Sequence, residues 1–177
     1  AYINYGYTSC IAIQANSLQG VTISSCIVKG NATAASVVGG GIYVSASSFS
    51  PRVYNNIVYG FIDTDSSSGN GIVTSVGSGN PLACVYNNTV YNCWKGFTDN
   101  SGYTTVFKNN VAQGCVHGFD GNYTAASDYN LSDVAADAPS PNYRSTLATT
   151  VSFVDAANYD FHLASFGGMA RDAGVSL

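Results

Sequence analysis

Charge is scarce in this sequence of 177 residues. Only 9% of the residues are charged, all ten acidic residues are aspartate, and six basic residues are scattered along the chain, which gives a net charge of −4. Proteins that bind nucleic acid through its phosphates present a basic patch or stripe, and this sequence provides none. The hydrophobic content of 46% also argues against a disordered chain.

Other features are missing as well. No apolar run approaches the ~18 residues of a transmembrane helix, so no membrane span is predicted. The two histidines and five cysteines form no C-x-x-C motif and no histidine cluster, which argues against a structural zinc site. No window carries an apolar stripe at helical spacing over three turns, so the chain is not predicted to be helical.

A repeated segment is the strongest feature that is present. The sequence VYNNIVYG at 53–60 returns as VYNNTVYN at 85–92, with a looser copy, VFKNNVAQ, at 106–113 and an earlier one, ISSCIVKG, at 23–30. Successive copies begin 30, 32 and 21 residues apart. Periods of about 20–50 residues are typical of solenoid and array proteins.

A second repeated element is a glycine followed by a large apolar residue. Around both elements apolar and polar residues alternate, β-branched and aromatic residues are frequent, and Gly, Asn and Ser separate the runs. This pattern predicts short strands. The glycine element occurs as Gly41-Ile42, Gly71-Ile72, Gly96-Phe97 and Gly118-Phe119, with Cys10-Ile11 as a variant.

The alternation breaks at one place in each copy of the first element. Val53 and Val58 are both predicted to face inward although they lie five positions apart, so one residue between them has to absorb a bend. Asparagine tolerates the left-handed conformation that such a bend requires. Side-chain amides stacked about 4.8 Å apart hydrogen-bond to one another. We predict a ladder of Asn56, Asn88 and Asn109, which Cys26 ends in the first complete copy.

The succession of a strand, a one-residue bend, a strand, a variable loop and a Gly-led strand resembles the repeat of the right-handed parallel β-helix, the fold of the pectate-lyase-like superfamily. The resemblance covers roughly residues 1–124. It implies an all-β chain of about five coils, with the family's inward asparagine ladder on the three asparagines above. It also implies that the Gly-led strands correspond to the strands that line the substrate groove in the enzymes. We expect one domain, with coils in 1–124 and the last coil and an irregular C-terminal cap in 125–177.

The C-terminal region carries a second resemblance. The segments Phe153-Val154-Asp155, Asp160-Phe161-His162-Leu163 and Ala170-Arg171-Asp172-Ala173-Gly174 resemble the closing segment of many bacterial secreted and surface β-helix proteins. This implies an extracellular or cell-surface location, in a bacterial or phage-related protein, and a packing and hydrogen-bonding role for His162. Because the chain begins in strand-like alternation at Ala1, without a cap, we expect upstream coils, a cleaved precursor or a cap from a partner chain.

Catalytic residues are sought on the Gly-led strands. The superfamily's lyases use clustered carboxylates for calcium plus a basic residue, and glycosidases use two or three close acids. The outward column predicted here contains one acid and neither Arg nor Lys, so that pattern does not carry over. The column consists of Ala12, Tyr43, Val73, Thr98 and Asp120. The remaining acid–base candidates are Asp120, His117 and Asp99, for which structural roles are the alternative.

Two further kinds of site are considered from single residues. Asp63 and Asp65 offer alternating oxygen ligands for calcium, whereas a solvated loop rich in Asp, Ser and Gly is the simpler interpretation. We therefore expect no cofactor and no required calcium. Cys93 and Cys115 lie at nearly equivalent places in adjacent coils, within disulfide reach, and buried free thiols are the alternative.

Aromatic residues are the more promising feature, with thirteen Tyr in the chain. Flat aromatic faces bind sugar rings through apolar contact while hydroxyl groups donate hydrogen bonds. Stacking between coils that merely stabilises the repeat is the alternative. The predicted outward column consists of Tyr54, Tyr86 and Phe107, and a second pair, Tyr59 and Tyr91, is predicted to lie close to it.

Three functions follow from these observations. The first is a secreted or surface module that contacts carbohydrate or a partner protein, with a polysaccharide or glycan as ligand. The second is a polysaccharide lyase or glycoside hydrolase whose site lies partly outside this chain. The third is a purely structural stalk. Self-association, or packing against upstream coils of a longer chain, is a further expected partnership.

Overall fold

The computed structural model describes residues 8–15, 20–30, 39–47, 50–63, 67–77, 82–102, 104–139, 150–168, 170 and 173–177. These residues form short strands and a single-turn 3₁₀ helix. The strands are β1 (Thr8–Ala15), β2 (Thr22–Ser24), β3 (Ile27–Lys29), β4 (Gly39–Ala46), β5 (Arg52–Tyr54), β6 (Ile57–Tyr59), β7 (Asn70–Val76), β8 (Ala83–Tyr86), β9 (Thr89–Tyr91), β10 (Lys95–Asp99), β11 (Thr105–Lys108), β12 (Val111–Gln113), β13 (His117–Gly121), β14 (Leu131–Ser132), β15 (Val151–Asp155) and β16 (Asp160–Gly168).

In three sheets each strand pairs with the strand three places earlier in the chain, except that β14 pairs with β12, and all of these pairs are parallel. In the described part of the chain, the first sheet has the order β1-β4-β7-β10-β13, the second β11-β8-β5-β2 and the third β14-β12-β9-β6-β3. One pass through the three sheets is called a unit here, and each unit lies beside the next. The chain is thus all-β with parallel sheets, an arrangement compatible with a β-solenoid. An antiparallel hairpin of β15 and β16 follows.

The inward side chains of the three sheets form one core. Ile42, Ile72 and Phe97 come from the first sheet, Val53, Val85 and Phe107 from the second, and Val58 and Val90 from the third. Glycine leads the first-sheet strands because that sheet approaches the third closely. A Cβ on Gly71 would lie 2.5 Å from the Gly96 carbonyl oxygen and 2.5 Å from a methyl group of Val90.

The second sheet departs from the predicted register in its last strand. Phe107, not Val106, lies opposite Val85, and Lys108 lies opposite Tyr86. The prediction that Phe107 is an outward residue is therefore wrong. Its side chain is fully buried and packs edge-on against Phe97, with ring centroids 6.1 Å apart.

The bend occurs one residue before the ladder. Asn55, Asn87 and Asn109 all have φ of 55–56°, in the left-handed region, and Ser25 matches them at 56°. The side chain that turns inward belongs to the following residue. Asn109 is thus a bend residue, and the prediction that it belongs to the ladder is wrong. The ladder consists of Asn56, Asn88, Asn110 and Asn130.

Each amide of the ladder is satisfied on both sides. The Asn88 Oδ1 accepts from the backbone N–H of Asn56 at 3.0 Å and from its Nδ2 at 2.9 Å. The Asn88 Nδ2 donates to Asn110 Oδ1 at 3.0 Å and to the Val53 carbonyl at 2.9 Å. At the first end, the Cys26 backbone N–H donates to Asn56 Oδ1, so Cys26 occupies the predicted terminal position.

The loop after β14 completes the free edge of the first sheet. The Asp137 Oδ2 accepts from the backbone N–H groups of Gly118 and Phe119, at 2.6 and 3.2 Å. Burial raises the pKa of this carboxyl group, against the hydrogen bonds from Ser132, Phe119 and Gly118 that lower it. An aspartate side chain here takes the place of the carbonyl groups that a further strand would provide.

Candidate functional site

The outer face of the second sheet carries aromatic and basic side chains side by side. Tyr54 lies opposite Tyr86, which lies opposite Lys108, and Arg52 lies opposite Cys84. Arg52 is exposed, and both tyrosines are half-buried. Two members of the predicted aromatic column are thus in place, while a lysine occupies the position that was assigned to Phe107.

The surroundings of Tyr86 act on its hydroxyl group. Burial, followed by a hydrogen bond with the Cys84 thiol, raises the pKa of Tyr86 to about 12, although Arg52 acts in the opposite direction. The phenol therefore stays neutral at physiological pH and retains its O–H donor. No ring contact joins Tyr54 to Tyr86 or to another described aromatic residue. Stacking between units thus does not occupy these rings.

Tyr59 and Tyr91 have a different environment. They lie opposite each other on the third sheet, under the C-terminal hairpin. The Tyr59 ring stacks on Tyr159 at 4.8 Å, and the Tyr91 ring lies 5.4 Å from Phe161. Rings of the hairpin thus cover the two tyrosines that were predicted to bind ligand, and Tyr59 is only 7% exposed. These two residues are therefore removed from the candidate binding surface.

The first sheet keeps the register that the sequence predicts. The column predicted to face outward pairs Ala12 with Tyr43, Tyr43 with Val73, Val73 with Thr98 and Thr98 with Asp120. Val73 and Thr98 are nevertheless buried, each 6% exposed. The prediction missed a cation next to this column. Lys95 forms an ion pair with Asp120, and its Nζ lies 4.6 Å from the ring centroid of Trp94. Lys95 directly precedes the glycine of its Gly-led strand. The predicted outward column does not include that position, so the lysine was not considered.

The three acid–base candidates do not converge. Asp120 is paired with Lys95, and His117 instead packs edge-on against Trp94, with centroids 5.9 Å apart. Asp99 is only 4% exposed, and its Oδ1 accepts from the Ser101 backbone N–H at 2.8 Å. It lies opposite Thr74 in the first sheet, and its Oδ1 accepts from that hydroxyl. One candidate is therefore inside the core and two are on the outer face.

The calcium candidates are likewise separated. The Asp63 carboxylate accepts from the Ser67 backbone N–H at 2.6 Å and from the hydroxyl groups of Ser67 and Ser68 at 3.0 and 2.5 Å. Burial acts to raise the pKa of Asp63, but these hydrogen bonds outweigh it and lower the pKa. Asp65 lies outside the described residues. Among those described, no group of three or more His, Cys or Asp side chains is placed to hold a metal ion.

His162 lies on the hairpin and points into solvent. Its side chain is 90% exposed, and its Nδ1 lies 2.6 Å from Asp160 Oδ1. The hydrogen bond from His162 lowers the pKa of Asp160. The expected hydrogen-bonding role is present, whereas the exposed imidazole packs little.

In comparisons with known proteins, no family model, curated protein or solved structure gave a significant match. Within the described residues, no helical segment has the length and apolar character that a membrane span requires.

Proposed function

We propose that this chain is a right-handed parallel β-helix of about five coils with an irregular C-terminal cap, and that it is a secreted or cell-surface module that contacts carbohydrate. The single observation that carries the functional proposal is the outer face of the second sheet. There Tyr54 and Tyr86 lie side by side in successive units without a ring partner among the described residues.

The chemistry of this face favours a sugar chain. A pyranose ring packs its C–H groups against an aromatic face, while hydroxyl groups of ligand and tyrosine exchange hydrogen bonds. Tyrosines in adjacent strands repeat at about 4.8 Å, close to the length of one sugar unit. The exposed Asn55 and Asn87 follow the two tyrosines in the chain and add amide donors and acceptors at the edge.

The charges on this face favour an acidic sugar. Arg52 and Lys108 flank the two tyrosines, and a guanidinium group binds a carboxylate or sulfate through two parallel hydrogen bonds. Asp128 is the backbone bridge partner of Lys108 in the next unit, which places a residue of opposite charge at that end. Arg52 is therefore the principal cation of the proposed site.

A polysaccharide lyase or hydrolase remains the rival function, favoured by the cluster of Trp94, Lys95, His117 and Asp120 on the first sheet. A cation, an imidazole and a carboxylate there lie within one surface region. However, the Asp120 carboxylate is bound to Lys95, and no second carboxylate faces it among the candidates. Binding without cleavage is therefore the preferred proposal.

The proposal is tested on a glycan array that contains acidic and neutral polysaccharides. Wild type is expected to bind acidic members, Tyr86→Ala to lose binding, and Arg52→Gln to lose the preference for acidic sugars. Tyr43→Ala is the matched control, because Tyr43 is a half-buried outward tyrosine on the first sheet. Binding that survives Tyr86→Ala but not Tyr43→Ala would move the site to the first sheet. A wild-type protein that binds no glycan would contradict the proposal and favour the structural stalk.

A further inference from the structure

Two cysteines lie opposite each other where the third sheet ends. Tyr91 is paired with Gln113, and the backbone ladder continues past them: the Asn92 N–H donates to the Gln113 carbonyl at 3.0 Å, and the Val116 N–H donates to the Cys93 carbonyl at 3.2 Å. Cys93 and Cys115 therefore occupy the same position in successive units. Residues opposed in this way lie about 4.8 Å apart, inside the range of Cα separations found in disulfides.

Their thiols are in contact inside the core. The side chain of Cys93 is fully buried, that of Cys115 is 8% exposed, and both belong to the main hydrophobic cluster. Burial, followed by the interaction with the Cys115 thiol, raises the pKa of Cys93 well above its ordinary value. In the structure both are free thiols, each donating to the carbonyl two residues earlier, Tyr91 and Gln113.

The other described cysteines are not placed in this way. Cys26 lies at the end of the asparagine ladder and its thiol donates to the Ser24 carbonyl. Cys84 lies on the outer face of the second sheet, opposite Arg52, and its thiol donates to the Leu82 carbonyl. Neither has a cysteine opposite it in the strand pairing.

We propose that Cys93 and Cys115 are the site of a reversible disulfide that joins adjacent units of the repeat. The oxidant is a small-molecule disulfide such as oxidised glutathione. One molecule of oxidant accepts two electrons and leaves as two thiols, while the two protein thiols lose two protons and form one S–S bond.

The order of events follows from exposure. Cys115 is the more accessible of the two, so its thiolate attacks a sulfur of the oxidant and the first small thiolate leaves and takes up a proton. A mixed disulfide on Cys115 results. The Cys93 thiolate then attacks the Cys115 sulfur, and the second small thiolate leaves in the same way. Because Cys93 is buried and holds its proton firmly, exchange is fastest while the two units are transiently apart.

The cross-link restricts the unfolded chain between its two ends. Closing the loop between Cys93 and Cys115 in a chain of 177 residues is expected to raise the melting temperature by roughly 6–12 °C. The disulfide replaces two weak S–H donors in the core and leaves the carbonyl groups of Tyr91 and Gln113 to their backbone partners, Gly60 and Asn92.

The test uses the whole chain, incubated with oxidised glutathione or with dithiothreitol, then unfolded and alkylated. Mass spectrometry is expected to find two fewer alkylated thiols of the five after oxidation, and peptide mapping to join Cys93 to Cys115. The melting temperature of the oxidised form should rise, and neither change should occur in Cys93→Ala or Cys115→Ala. Cys84→Ala is the control that should keep both.

Full alkylation of all five thiols after oxidation would overturn the proposal, as would a bridge that involves Cys10, Cys26 or Cys84. A bridge at the proposed place with an unchanged melting temperature would overturn its role in joining the units. Mapping is done on wild type, so the outcome does not depend on whether the alanine variants fold.

Discussion

The side chain of Asn109 holds the backbone of Val175 at two points. The Asn109 Nδ2 donates to the Val175 carbonyl at 2.8 Å, and its Oδ1 accepts from the Val175 N–H at 3.0 Å. Asn109 thus imitates the edge of a strand and fixes the C-terminal segment to the bend between β11 and β12. The same residue type stands at the preceding bends, where the Asn55 and Asn87 side chains have no such partner.

This relationship predicts the effect of Asn109→Gly. Glycine keeps the left-handed backbone of the bend and removes only the amide, so the loss should be that of two partly buried hydrogen bonds, roughly 0.5–1.5 kcal/mol each. Hydrogen exchange at the Val175 amide should accelerate. Asn87→Gly is the matched control, with φ of 55° at the native residue, and should leave that amide protected. Equal exchange in both variants would contradict the assignment.

The ladder predicts a larger effect for Asn88→Ala. Removal of this amide leaves the backbone N–H of Asn56 without its acceptor and takes one donor each from Asn110 Oδ1 and the Val53 carbonyl inside the core. We expect a loss of roughly 1–3 kcal/mol in the free energy of unfolding, measured by urea denaturation. Asn100→Ala, at an exposed asparagine, is the control. An unchanged denaturation midpoint for Asn88→Ala would remove the ladder from the account of stability.

Acid sensitivity is predicted from Asp63. Because its pKa is lowered in the folded state, its contribution to stability is complete above the unfolded-state pKa and is lost as the pH falls. Wild type should therefore lose stability below about pH 4, where unfolded aspartates take up protons. Asp63→Asn should be less stable than wild type at neutral pH and show a shallower loss on acidification. Parallel pH profiles of the two proteins would disprove this contribution.

Calcium is predicted to have little effect. The Asp63 oxygens are already occupied by Ser67 and Ser68, whereas calcium binds six or more oxygens. The melting temperature measured with millimolar calcium should match that measured with a chelator. A substantial rise that disappears in Asp63→Asn would assign a calcium site to this loop.

Cleavage of polysaccharide is predicted to be absent. A glycosidic bond requires a placed acid together with a second carboxylate or a base, and Asp120, His117 and Asp99 have separate partners. Assays for reducing ends and for unsaturated products should stay at the level of the blank. Product that forms with wild type and disappears in Asp120→Asn would favour the enzyme.

Much of the strand arrangement could be predicted, because alternation and the glycine element are local patterns. The register of the first sheet from Ala12 to Asp120 is confirmed. The sequence comparison aligns the fourth copy of the repeat on Val106. The Asn109-Asn110 pair shows that the correct alignment starts one residue later, at Phe107. Two consecutive asparagines have different roles there, one in the bend and one in the ladder. Aligning those pairs would also have revealed Phe107 as a core residue.

The surroundings of the candidate site could not be predicted in the same way. Tyr59 and Tyr91 are covered by rings that arrive from Tyr159 and Phe161, far along the chain. The hairpin reaches that position through a left-handed Tyr159, at φ of 67°, and two register shifts between its strands, none of which is visible in the local pattern. Likewise, only the pairing of β10 with β13 places Lys95 near Asp120.

The asparagine ladder has a direction. Along the row each Nδ2 donates to the Oδ1 of the next asparagine, so the first Oδ1 and the last Nδ2 have no partner within the row. The two ends therefore need opposite partners: a backbone N–H from Cys26 at the first, and a carbonyl from Pro139, 3.0 Å from Asn130 Nδ2, at the last. A duplicated interior unit would meet an Nδ2 donor on one side and an Oδ1 acceptor on the other, so its own asparagine could join the row. Duplication of interior units can therefore lengthen the row. Each end, in contrast, requires its own kind of partner, a donor at the first and an acceptor at the last.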